Sequence, residues 1–241
     1  MKAIALARLL QLASQALPIG GYSHSQGLEA AIDQRVVTDE GSVLRWICDV
    51  LEFSMKSFEI PSMLSMARAW ARPAPRAVEA LNEEFLATRE SAEIRAAAVQ
   101  MGFSLCSLVY TLPDFPEGIA ETLRLIREPS LPCVWSATTT AWGIGPQDSA
   151  MGYLWAWAEN QVLVALKTVP IGQSAGQRIL LAAGTRIADV VAGLKPDGIG
   201  ADTIGADASC EDSRDFSSNF TPGLAILSSQ HETQYSRLFR S

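Results

Sequence analysis

Leu17-Pro-Ile-Gly-Gly-Tyr-Ser-His-Ser-Gln-Gly-Leu-Glu29 is the stretch whose reading decides the fold, because it admits either a capped turn into a helix or a nucleophile elbow on a sheet. Pro18 fixes its own φ and biases Leu17 toward extended backbone, while Gly20 and Gly21 permit positive φ and close backbone approach. Ser23, followed three residues later by Gln26, has the spacing of a capping box, in which each side chain satisfies an orphan N–H in the first turn of a helix. The rival reading takes Ser23-His24-Ser25-Gln26-Gly27 as a Gly-x-Ser-x-Gly elbow, a pattern that it misses by one residue. An elbow needs a strand before it and a parallel sheet around it, so the rest of the chain decides.

Working outward, the rest is helical. Leu6, Leu9, Leu10, Ala13 and Leu17 form the stripe of an amphipathic helix. Lys2, the apolar run and Ala13-Ser-Gln-Ala16 imitate a secretory signal, but Arg8 and Gln11 interrupt the run. Thr38 with Asp39 and Glu40 supplies an N-cap and an acidic first turn, and Val43, Trp46, Ile47, Val50, Leu51, Met55 and Phe58 mark one face beyond it. Pro61 and Pro75 stand where first helical residues are expected, with Arg72-Pro73 as a break between them, and Val78, Leu81 and Phe85 continue the pattern. A long helix is expected from Glu90 to Thr111, polar first and then apolar, with its second half inside a bundle. Gly102 within it costs about 1 kcal/mol relative to Ala, which points to close packing there.

Pro113-Asp-Phe-Pro116 is the next break. Asp114 and Glu117 can cap a helix reaching Arg127, and another runs from about Pro132 to Trp142, stopped by Gly143-Ile-Gly145-Pro146. Tyr153, Trp155 and Trp157 open a helix that extends to Thr168, and their spacing reads as core or interface. Val169-Pro-Ile-Gly-Gln-Ser174-Ala-Gly-Gln177 then echoes the opening turn: Pro170 and Gly172 reappear, and Ser174 with Gln177 spaces a second capping box for a helix to about Gly193. From Lys195 to Asn219 come Asp197, Asp202, Asp207, Glu211, Asp212 and Asp215 among small residues, the composition of a disordered acidic linker. Leu224, Leu227, His231, Tyr235 and Leu238 then read as a final amphipathic helix. No strand alternation intervenes, so the expected fold is an all-α bundle over 1–194, a linker over 195–219, and a C-terminal segment over 220–241 belonging to the same domain.

The totals narrow function. The 241 residues carry 19 basic and 26 acidic side chains, a net charge of −7, which disfavours nucleic acid and polybasic membrane contact and favours partners with basic faces. Ala96 to Leu112, the longest uncharged stretch able to form a helix, is short for a membrane span. Cys48, Cys106, Cys133 and Cys210 form no C-x-x-C pair and read as reduced thiols of a cytoplasmic protein, and two histidines, His24 and His231, exclude a His-rich metal site. Gly143-Ile-Gly145 lacks a third glycine, and no Gly-x-x-x-x-Gly-Lys phosphate loop exists. A helical serine hydrolase would need Ser23 as nucleophile, Asp189 as acid and His231 as base, with the histidine beyond the linker and no sheet to hold the elbow. The residues alone describe a helical binding protein with a detached, aromatic and Arg-bearing tail, and no catalytic or metal site.

That tail, Ser-Ser-Gln-His231-Glu232-Thr-Gln-Tyr235-Ser-Arg237-Leu238-Phe239-Arg240-Ser241, closely resembles the C-terminal signature of the UreF family of urease accessory proteins. Leu17 to Glu29, Gln100-Met-Gly102 and Val169-Pro-Ile-Gly-Gln173 resemble the same family in the same order. The resemblance implies an all-helical, often dimeric scaffold without catalysis or cofactor of its own. It implies that the scaffold joins UreD (also called UreH) and the GTPase UreG to insert nickel into apo-urease, nickel and GTP being handled by those partners. It also maps partner contacts onto His231, Glu232, Tyr235, Arg237, Leu238, Phe239 and Arg240, and places Lys167, beside the Pro170 turn, opposite the GTPase. The long acidic linker departs from the family pattern.

Overall fold

The computed structural model describes residues 1–72, 74–194 and 219–240, and among them every regular element is helical. In chain order these are α1 (Ala3–Ala13), α2 (Leu28–Asp33), α3 (Glu40–Val50), α4 (Ile60–Ala71), α5 (Pro75–Ala87), α6 (Ala92–Val109), α7 (Glu117–Leu125), α8 (Leu131–Ala141), α9 (Pro146–Thr168), α10 (Gln173–Ala192) and α11 (Pro222–His231). The acidic linker and Cys210 lie outside the described residues, Asn219 excepted, as do Pro73 and Ser241. No described helix is long and apolar enough to cross a membrane.

The fold is built around α9, which packs against α10, α1, α2, α3 and α4; α8 lies between α4 and α6, and α11 rests on α2 and α6. One buried cluster runs through all of it, from Leu9 and Leu12 through Ile47, Leu105, Trp135 and Leu154 to Leu227 and Phe239. The C-terminal segment is therefore part of the same core. Cys106 and Cys133 are buried thiols, and desolvation pushes Cys106 up to about 11, so both are poor nucleophiles. Cys48 is only half-buried.

Several local readings are corrected. The expected break before Pro61 is a change of helical register: α3 passes through a π-helical stretch, Leu51–Glu59, straight into α4, with Ile60 N–H reaching Met55 O. Proline has no N–H and its ring crowds the preceding turn, and the wider π register absorbs that mismatch without ending the helix. Asp39, not Thr38, caps α3, through a box with Ser42. Pro116 precedes α7 with no side-chain cap from Asp114, and α9 begins at Pro146 rather than near Tyr153. Ser91 caps α6 by accepting from Ile94 N at 3.1 Å.

Gly102 is where the expectation of close packing holds most literally. A Cβ there would lie 1.9 Å from Pro129 O and 2.7 Å from Ser130 C, so only glycine lets α6 pass the start of α8. Asn82, buried, stitches the same corner by donating to Glu128 O at 2.9 Å and accepting from Ser130 N at 2.9 Å.

Candidate functional site: the C-terminal tail on the first turn

The opening turn folds differently from its capping-box spacing. Gly21–Ser23 form one 3₁₀ turn after Gly20 at φ 77°, and Ser23 Oγ donates to Gly20 O at 2.7 Å. Gln26 sits at φ 52° and Gly27, at φ 87°, is the N-cap of α2, with no side-chain cap bond. Two successive left-handed residues move the helix start past the box, and a side chain at Gly27 would also press within 3.1 Å of Leu224 on α11. Instead the turn is gripped from α9. Trp157 Nε1 donates to Gln26 Oε1 at 2.6 Å, Asn160 Nδ2 to His24 O at 2.9 Å, and Gln161 Nε2 to Ser25 O at 3.3 Å.

The second echo fails in the same way with a different outcome. Gly172 is the N-cap of α10, Ser174 lies inside the helix, and no side chain caps it. Pro170, Gly172, Ser174 and Gln177 are all exposed.

The tail closes over the first turn. Its helix ends at His231, so Tyr235 and Leu238 do not continue an apolar face and are fully and largely exposed instead. The buried anchors are His231 and Phe239. His231 places Nε2 2.9 Å from Glu29 Oε2 and Nδ1 2.8 Å from Glu93 Oε2. Glu29, only 5 % exposed, also accepts from Leu238 N at 2.7 Å and Phe239 N at 3.1 Å. Arg240 N donates to Ser23 O at 2.7 Å, Arg237 Nη1 lies 3.3 Å from Glu93 Oε1, and the Lys167 ammonium stands 5.4 Å from the centre of the Phe239 ring. Upstream, Ser228 and Ser91 share a buried hydroxyl contact at 2.6 Å. The tail expected to be detached is docked, because Glu29 gives the backbone N–H groups of its irregular end a charged acceptor.

Chemically, this cluster binds chain. Carboxylates face both ring nitrogens of His231, and Ser23 spends its hydroxyl on Gly20 O, so the pair assembles no nucleophile and base and the hydrolase alternative has no support. Burial, then the charge of Arg240, holds His24 down at about 4, neutral under ordinary conditions. Among the described residues no group of three or more His, Cys, Asp or Glu side chains is arranged to hold a metal. Of the residues mapped onto partners, Glu232, Tyr235, Arg237, Leu238, Arg240 and Lys167 are exposed, and His231 and Phe239 hold them in place from below. Glu93, Asn160 and Gln161 escape the sequence reading, which takes Trp157 only as core or interface and Glu29 only as part of the turn motif; a glutamate closing a turn motif looks like any other helix-start acid.

The family model described as UreF matches residues 37–184. The chain is 46% identical to the urease accessory protein UreF of Dechloromonas aromatica (strain RCB) over 237 residues, 98% of this chain and 97% of that one. It is 47% identical to the UreF of Azoarcus sp. (strain BH72) over 238 residues (98% and 95% of the two chains), and 43% identical to that of Janthinobacterium sp. (strain Marseille) over 246 residues, covering 100% of both. These alignments extend through the first turn and the tail, which lie outside the family match. This chain belongs to the UreF family of urease accessory proteins.

Proposed function

We propose that this protein is a non-catalytic scaffold that assembles, as a homodimer in the cytoplasm, with UreD (UreH) and the GTPase UreG, and through them with apo-urease, so that nickel is inserted in a GTP-dependent step. Nickel is the cargo of that assembly and GTP the ligand of the partner, so the scaffold needs no cofactor of its own. The observation that carries the reading is the docked tail: Tyr235, Leu238 and Arg240 face solvent on a segment whose neighbours His231 and Phe239 are buried. Tyr and Arg are enriched in binding hot spots, and a pre-positioned segment loses less entropy on association. Lys167, exposed beside Phe239, extends the same surface.

The test is urea turnover in cells lacking the chain, complemented by variants, alongside recovery of the partners with each variant. Deleting residues 234–241 removes the contact surface but also strips the tail N–H groups from buried Glu29, so point variants discriminate better. Tyr235→Ala and Leu238→Ala, both exposed, are expected to keep the helical signal by circular dichroism while complex recovery and urease activation fall at least tenfold, about 1.4 kcal/mol. Full activation and full recovery with the double variant would overturn the proposal.

A further inference from the structure

Five arginines among the described residues are partly buried: Arg8, Arg68, Arg89, Arg95 and Arg186. Four of them reach a carboxylate, Arg8 at 4.0 Å from Asp114, Arg89 at 3.0 Å from Glu59, Arg95 at 2.8 Å from Glu128 and Arg186 at 2.6 Å from Glu52. Arg68, on α4, pairs with no acid among the described residues and donates only from Nη2, to Ser65 Oγ at 2.9 Å. Burial, and then the charge of Arg72, pull Arg68 below the usual arginine range, so the nearest charge adds to its own instead of offsetting it.

This arginine lines a cavity of about 280 Å³ between α4, α8 and the start of α9. The walls are mainly Leu64, Ala67, Ala71, Ile144 and Leu194, and no acidic side chain contributes. The buried hydroxyls in the lining are engaged inside the protein: Ser149 Oγ donates to Thr139 Oγ1 at 3.1 Å, and Thr139 Oγ1 to Trp135 O at 3.0 Å. The volume lies at the lower edge of small-molecule sites, which usually enclose roughly 300–1,000 Å³. One cation among apolar walls suits one negative charge, because a second would be left uncompensated there.

We propose that this cavity is a binding site for a small monocarboxylate with an aliphatic body, its carboxylate held by the Arg68 guanidinium. The planar fork has five N–H donors, of which the protein uses one, and its geometry matches a carboxylate bidentately. The aliphatic body packs on Leu64, Ile144 and Leu194, and the charge of Arg72 favours the bound anion from further off. The proposal does not depend on which proteins the tail binds.

Sodium butanoate, titrated at constant ionic strength into the full chain, reads the cavity through the Arg68 Nε–H and Ile144 methyl resonances. Both are expected to shift together and saturate at millimolar butanoate. Butyramide, of the same shape without the charge, should bind at least tenfold more weakly. Arg68→Gln should weaken butanoate at least as much while keeping the helical signal by circular dichroism, and Arg68→Lys by less, since an ammonium keeps the charge and loses the fork. No saturable shift, equal binding of butyramide, or unchanged binding in Arg68→Gln would each overturn the proposal. So would an Arg68 resonance that moves in Asp197→Asn and not with butanoate, because the arginine would then be answered by the chain's own carboxylate.

Discussion

The chain writes almost the same turn twice, Pro18-Ile-Gly20 and Pro170-Ile-Gly172, and uses the two in opposite ways. The second is a surface corner: Gly172 starts α10, and the polar residues after it point to water. The first is interior: His24 and Ser25 are 2 % and 0 % exposed, three side chains of α9 hold their carbonyls or neighbours, and the tail lies across it. Local sequence chose a turn in both places, and what packs on it decided whether the turn is a linker or a docking platform. The first carries Glu29 on the helix that it introduces; the second carries no ionisable group before Arg178.

The largest effect expected from this contrast is at Glu29. Glu29→Ala removes the acceptor of two backbone N–H groups and one partner of buried His231, and should lower unfolding stability by about 3 kcal/mol or more, with the tail becoming the first site of proteolysis. Glu40→Ala, which breaks only the exposed pair with Arg178 on α10, should change the same midpoint by well under 1 kcal/mol. Similar losses from both variants would remove the distinction.

His24 gives the first turn a pH dependence that the second lacks. Its folded value of about 4 lies below the ordinary 6.5, so between those values the unfolded chain binds more protons and stability rises with pH. The contribution is complete above about 6.5 and is lost as pH falls toward 4, a difference of about 3 kcal/mol. Denaturant melts at pH 7.0 and 4.5 should differ less in His24→Gln than in the parent; an identical pH slope in the two would contradict the buried, neutral ring.

The smallest effects separate the two serines. Ser23→Ala loses the bond to Gly20 O and should cost about 1 kcal/mol, whereas Ser174→Ala, exposed inside α10 with no capping role, should stay within about 0.5 kcal/mol of the parent. Equal costs would restore the capping-box reading of both sites.

That failed reading marks where legibility in the sequence ends. Apolar spacing identifies the helices, because each buries one face, and Gly102 signals close approach through its cost in a helix, although nothing local names Pro129 as the neighbour. The first serine box misleads because Gly27, at φ 87°, takes the cap position in a backbone conformation that serine resists, and the second because α10 already starts at Gly172, in ordinary extended backbone, two residues before Ser174. The π-helical stretch is invisible because its face pattern continues that of α3. The tail motif and the first turn are each recognisable, yet their union through Glu29 joins residues some two hundred positions apart, which periodicity cannot report.

That union is tested most directly by hydrogen exchange at the amides of Leu238 and Phe239, the two donors to Glu29. In the free parent chain both should exchange far more slowly than the amide of fully exposed Tyr235, and in Glu29→Gln both should accelerate by at least tenfold while the amides of α9 keep their protection. Fast exchange at Leu238 and Phe239 in the parent, at the rate of Tyr235, would contradict a tail docked on the first turn.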